Sequence, residues 1–250
     1  MPIQRLIPIL LIDSGGQLTK TRKFKSRQYI GDPLVALRLF NDLGADEILV
    51  LSIGDGSYRD STPPWPLLED MAGEALMPLS YGGGICNKDE ALRIISLGYE
   101  KVVYSASRLF DGTNLREVVD AIGTQSVSVC VNYVESRFFG RTVRCHKTNK
   151  KLGGLREVTQ VAASIGLGEI ILQNITREGE MQGLDFEVIP EVSSDFDGPI
   201  VLTGGMTDLD ELREPAAKNI SGIAAGSFFV FSGNRRGVLI SYPDDIERSI

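Results

Sequence analysis

Eight short runs of β-branched and aliphatic residues, alternating with stretches that read as helices inside 250 residues, predict an α/β chain folded as a single (β/α)8 TIM barrel. The runs are apolar throughout rather than alternating with polar residues, which suits parallel strands buried on both faces. The two halves of the sequence also resemble each other. Barrels of this kind routinely take about 250 residues as one unit, so one domain over 1–250 is expected.

The runs fall at residues 6–12, 47–53, 78–80, 101–104, 127–131, 169–172, 199–202 and 222–225. Helix openings stand between them. Asp32 precedes Pro33 and an apolar-periodic stretch, an N-cap followed by proline in the first turn. Asn87 precedes a run ending near Gly98, and Thr207 precedes a run over 208–218. The stretch 141–151, after Phe138 and Phe139, reads as a hairpin inserted behind the fifth strand, and its five basic residues suit either solvent or an anionic ligand or partner. Trp65, among Pro63, Pro64 and Pro66, reads as the anchor of a helix start.

Hydrophobic residues make up 42% and charged residues 24%, ordinary for a chain with a full core, and the net charge is −7. An acidic balance argues against nucleic acid as a partner, because a phosphate backbone needs clustered Lys and Arg. No apolar run approaches the ~18 residues of a membrane helix, and the opening residues lack a signal-peptide pattern, so no membrane partner and a cytoplasmic location are expected. The three cysteines, Cys86, Cys130 and Cys145, are too scattered for a disulfide framework or a zinc site. With His146 as the one histidine, multi-His metal centres are excluded, and neither a metal nor a cofactor is expected.

The internal repeat is specific. A shift of 121 residues lays Pro78, Gly83, Gly84, Asp89 and Glu90 on Pro199, Gly204, Gly205, Asp210 and Glu211, and nearly the same shift lays 44–53 on 166–175. Two equivalent half-barrels of four βα units follow. Gly82, Gly83 and Gly84 come after strand 3, and Gly204 and Gly205 after strand 7. Glycine permits a tight turn with close backbone approach, and the following helix start adds partial positive charge, so both turns suit phosphate. Ser105 and Ala106 after strand 4, and Gly226 and Ser227 after strand 8, are placed to complete the two cradles. The implied ligand is an elongated phosphorylated small molecule with an anionic group at each end.

These pieces, together with Arg5-Leu-Ile, Gly31-Asp-Pro33, Asp46-Glu47, Gly168-Glu169-Ile170, Thr203-Gly204-Gly205 and Ala224-Ala225-Gly226-Ser227, resemble the cyclase subunit (HisF-like) family of imidazole glycerol phosphate synthase over nearly the whole chain. The resemblance implies a partner glutaminase whose ammonia crosses the barrel to a bisphosphorylated substrate. Cleavage and ring closure there yield imidazole glycerol phosphate and an aminoimidazole ribotide. It also implies an ammonia gate of Arg5, Glu47, Lys101 and Glu169, each at the start of a strand and hence at the N-terminal mouth. On spacing alone the same four charges read equally as a salt-bridged plug.

The sequence departs from the family at the catalytic carboxylates. The two positions at the ends of strands 1 and 5 are Leu11 and Asn132, related by the same 121-residue shift, and a third carboxylate is replaced by Ser52. Proton transfer to a closing ring needs groups that titrate, and Leu and Asn do not. Asp13, Lys20 and Glu178, with Asp55, are the nearest substitutes in the loops above the strands. The stretches 10–24 and 225–243 resemble the paralogues associated with surface-polysaccharide genes, which work beside a glutaminase and a sugar amidotransferase that makes an acetamidino sugar. The resemblance therefore implies an ammonia-handling subunit of that pathway. The alternatives are a working histidine-pathway lyase with displaced acids and a catalytically silent phosphate-binding scaffold.

Overall fold

All eight apolar runs become parallel strands: β1 (Arg5–Ile12), β2 (Ile48–Ser52), β3 (Leu79–Gly82), β4 (Lys101–Ser105), β5 (Val127–Ser136), β6 (Glu169–Asn174), β7 (Ile200–Thr203) and β8 (Gly222–Ala225). Each pairs with the next in sequence, and β8 returns to β1 with Arg5 opposite Gly222, so the sheet closes on itself. The structure is a computed structural model, and it describes residues 5–54, 62–136, 140–214, 220–233, 235–244 and 247–248.

Alternation along each strand separates two cores. Ile7, Ile9 and Leu11 of β1 meet Leu49, Val103, Cys130, Ile171, Val201 and Ala224 inside the barrel. Leu6, Leu10 and Ile12 face outward into the larger core between strands and helices, where Leu37, Phe40, Leu68 and Met71 cover them. The strands are thus apolar on both sides because both sides are dry.

The helices open as their caps dictate. The Asp32 carboxylate accepts from the amides of Leu34 (2.7 Å) and Val35 (3.2 Å) at the start of α1 (Pro33–Asp42). Trp65 begins α2 (Trp65–Glu74), with the Arg93 guanidinium stacked 4.0 Å from its ring centre. Asn87 caps α3 (Lys88–Ser96), Asn114 caps α4 (Leu115–Ile122), and α5 (Leu155–Ile165) ends on left-handed Gly166. Between β6 and β7 the chain makes a 3-10 turn, Phe186–Val188, that runs into the short α6 (Ile189–Ser193).

Of the helix expected over 208–218, the described part is a 3-10 turn, Leu209–Arg213. Its cap is Asp208, because the Thr207 hydroxyl is already bonded to Glu211 (2.9 Å). Pro215 disfavours the helical region for the residue before it, and Glu214 is accordingly extended. Residues 215–218 of that stretch lie outside the described residues.

Two excursions rise from the C-terminal ends of the strands. Behind β1, Leu18–Lys20 folds back antiparallel on β1 and pairs with Gln28–Gly31, a hairpin with no clear signal in the sequence. Behind β5, Gly140–Arg144 and Lys151–Gly154 form the expected inserted hairpin, and the first of them also pairs with the end of β5. Phe138, Phe139 and Asp55 lie outside the described residues. Among those described, no helix is long and apolar enough to cross a membrane.

Candidate functional site

The glycine turns are the same structure twice. A Cβ on Gly83 would lie 2.4 Å from the Ser52 carbonyl oxygen, and one on Gly204 would lie 2.6 Å from that of Asn174. Ser52 ends β2 and Asn174 ends β6, so each turn crosses the end of the preceding strand at equivalent places in the two halves. Gly83 has φ 124° and Gly204 φ 98°, values that L side chains rarely adopt.

Each turn opens on its own cavity. The larger, of about 310 Å³, is lined by Gly82, Gly83, Gly84 and Ser105, and the smaller, of about 40 Å³, by Gly204, Gly205, Gly226 and Ser227. Leu11 and Gln173 belong to both and form the wall between them. The Ser105 hydroxyl is 2.6 Å from that of Ser107. Ala106 packs in the outer core and does not line either cavity, against its expected place in the first cradle.

Leu11 and Asn132, the positions where the resemblance implies carboxylates, do lie on the cavity floor. Cys130 bonds weakly to the side-chain oxygens of both Asn132 and Gln173, at 3.5 Å each. Burial pushes the Cys130 thiol up to about 12. No aspartate or glutamate lines the larger cavity among the described residues, whereas Arg27, Arg108 and Lys147 do. Such a wall suits an anionic ligand and offers no carboxylate for proton transfer.

Of the three substitutes within the described residues, Asp13 is placed elsewhere. Its carboxylate holds the turn of the first hairpin, accepting from the amides of Gly15 (2.9 Å) and Gln17 (3.0 Å), because a strand-end aspartate followed by Ser-Gly-Gly finds local amides before it reaches the cavity. Glu178 reaches the small cavity, but both its oxygens are engaged by the first excursion: the Thr21 hydroxyl and the Phe24 amide donate to them, each at 3.0 Å. It staples two loops. Lys20 is the one that changes character. Its hairpin buries it to 3% exposure, its ammonium donates to the Ile9 carbonyl, and a Cβ on Gly226 would lie 2.8 Å from its Nζ. Burial pushes its pKa down to about 7, with the Glu178 charge pulling the other way.

At the opposite mouth the four charges close a ring. Arg5 reaches Glu47 and Glu169, each at 2.6 Å, and Lys101 reaches the same two carboxylates at 3.2 and 3.4 Å. Ser80 and Ser128 donate to the remaining carboxylate oxygens, at 2.6 and 3.1 Å. Burial pulls the Arg5 pKa down, and the bonds and charges of Glu169 and Glu47 more than offset it, leaving it raised. The formal charges of the two cations and two carboxylates cancel within the ring.

Sequence reasoning missed Gln173, Arg27, Arg108 and His146 as cavity residues, and offered Lys147 only as one of five basic residues suited to solvent or to an anionic ligand or partner. Gln173 had a signal: it is a polar residue at an inward position of an otherwise apolar strand, two residues past Ile171. The others come from loops whose paths no periodicity encodes.

A closed barrel of eight parallel strands, with matching glycine turns in its two halves at one end and a neutral charge ring at the other, defines a (β/α)8 protein assembled from two like halves. The chain belongs to the histidine biosynthesis protein family, whose model matches residues 5–235. It is 38% identical over 247 residues to a Leptospira borgpetersenii protein named "Putative imidazole glycerol phosphate synthase subunit HisF", covering 98% of this chain and 96% of that protein. It is 38% identical to a Pseudomonas aeruginosa protein carrying the same name with the symbol hisF2, over 96% of each chain. The imidazole glycerol phosphate synthase subunit HisF of Streptomyces avermitilis is 27% identical over 93% of this chain and 92% of its own. Within the family the chain is HisF-like.

Proposed function

We propose that this barrel is an ammonia-receiving, HisF-like subunit that works in the cytoplasm with a glutaminase, and that the nitrogen it carries is used to convert an acetamido group of a surface-polysaccharide sugar to an acetamidino group by a partner amidotransferase. The observation that carries the reading is the combination on the barrel axis. Both glycine cradles and the Arg5–Glu47–Lys101–Glu169 ring are present, while the floor between the cradles carries Leu11, Asn132 and Gln173, none of which titrates. Binding and passage are retained without an acid–base pair at the positions where cyclisation needs one. The stretches 10–24 and 225–243 support the polysaccharide branch.

The two cradles hold the phosphate groups of a small-molecule ligand: Gly82, Gly83, Gly84 and Ser105 in one, Gly204, Gly205, Gly226 and Ser227 in the other. The charge ring is a gate that opens when the glutaminase docks. Arg5→Ala and Glu169→Ala then change coupling to the glutaminase and leave phosphate binding intact; unchanged coupling in both variants refutes the gate.

A second reading, the histidine-pathway lyase, is favoured by Lys20, whose amine beside the small cavity exchanges its proton near neutral pH. The two readings separate on turnover of the bisphosphorylated cyclase substrate by the purified chain with excess ammonium at alkaline pH. Absence of the aminoimidazole product, with binding of the compound confirmed by calorimetry, supports the ammonia-handling subunit; its formation restores the lyase. Leu11→Asp with Asn132→Asp is expected to create or raise that turnover.

A further inference from the structure

The hairpin behind β5 carries one residue that its own architecture does not explain. Its strands are locked to the barrel: Arg141 donates two bonds of 2.9 Å to Asp185, which also accepts from the Tyr133 hydroxyl at 3.0 Å. Its tip is equally fixed, with the Cys145 amide bonded to Lys150, the Asn149 amide to Cys145, and Arg144 to the Asn149 carbonyl. Burial raises the pKa of the Cys145 thiol, and donors from Thr148, Lys147 and Ser107 outweigh that and leave it lowered, which ties the tip down onto the chain behind β4. His146, in this turn, lines the larger cavity. Among the described residues the ring makes no hydrogen bond. His146 is half-buried and shares the cavity lining with the Asn132 and Gln173 amides, so its ring nitrogens are open to a hydrogen-bonding partner held there.

We infer that His146 is a specificity-determining residue: together with the Asn132 and Gln173 amides it hydrogen-bonds the hydroxyl-bearing body of a sugar phosphate whose phosphate sits at the Gly82–Gly84 turn. This rests on the cradle reading above. Three neutral groups that both donate and accept suit hydroxyls, which also do both, and no carboxylate among the described lining residues competes with the ligand's anionic end. Burial and the neighbouring Lys147 hold the imidazole near 4, so at pH 7 it adds hydrogen bonding without adding charge.

The test is titration calorimetry with inorganic phosphate and with ribose 5-phosphate, on the full chain and on His146→Phe, which keeps a ring and removes both nitrogens. A lost hydrogen bond of about 0.5–1.5 kcal/mol corresponds to a weakening of roughly 2- to 12-fold, expected for ribose 5-phosphate alone, with inorganic phosphate unchanged. His146→Gln is expected to recover most of the loss and also serves as the readout if the phenylalanine variant does not fold. Equal weakening of both ligands, or of neither, overturns the assignment. Ser105→Asp reports on the cradle separately: it should abolish inorganic phosphate binding by charge repulsion. If the unaltered chain binds no phosphate, or Ser105→Asp binds it as well, the cradle reading fails and the His146 assignment falls with it.

Discussion

Replacing Lys101 with methionine removes one cation from a ring whose two cations balance two carboxylates. The Lys101 side chain is 12% exposed and those of Glu47 and Glu169 are 5% and 6%, so water replaces little of what is lost. Its ammonium lies 3.2 and 3.4 Å from the two carboxylates, and at an effective dielectric of ~20 each contact amounts to about 5 kcal/mol before desolvation is subtracted. Most of that gross figure is returned as the cost of burying the ammonium. What persists in the variant is two carboxylates sharing Arg5, and breaking such a buried arrangement costs about 3–5 kcal/mol. Adding Glu169→Gln to Lys101→Met leaves the Arg5–Glu47 pair and restores neutrality. The double variant is therefore expected to be more stable than Lys101→Met alone, a non-additivity of at least ~1 kcal/mol in a double-mutant cycle read by urea denaturation. A single-variant loss below about 1 kcal/mol, or additive losses, would refute the view of the ring as one coupled unit.

Two further outcomes follow from the same kind of accounting. Lys20 has its pKa pushed from 10.5 to about 7 on folding, so between those pH values the unfolded chain holds a proton that the folded chain has released, and stability rises with pH across that window by up to about 5 kcal/mol. Lys20→Met should flatten this rise in denaturation curves at pH 6.5, 8 and 9.5, and an unaltered slope refutes the burial argument. Gly204→Ala places a methyl 2.6 Å from the Asn174 carbonyl oxygen at φ 98°, so a loss of several kcal/mol in stability and of anion binding at the small cavity is expected by thermal melting and calorimetry, whereas a loss below ~1 kcal/mol would show that the turn relaxes freely.

The strands, their parallel order and the two-half plan were legible because each follows from local sequence: a run that is apolar at consecutive positions is buried on both faces, and an Asp32 or Asn87 before a periodic stretch caps a helix. The described start of the stretch 208–218 is a 3-10 turn for an equally local reason, the proline at 215, which disfavours the helical region for Glu214. The candidate site divides along the same line. Leu11, Asn132, the glycine turns and the four mouth charges could be placed from strand register alone, since register decides which end and which face of a barrel a residue occupies. Asp13, Glu178 and Lys20 could not. Their surroundings depend on a hairpin, Leu18–Lys20 against Gln28–Gly31, held by bonds to Glu178 more than 150 residues away. His146 is the same case: nothing within ten residues distinguishes a solvated basic loop from a turn latched by Arg141 to Asp185. Sequence by itself determined the barrel and its halves, because these are properties of residue type and period, and the resemblance implied the loss of the carboxylates. Tertiary structure decided which loop groups are buried, paired or open to the cavities, because burial and pairing depend on chain segments that meet only after the barrel has closed.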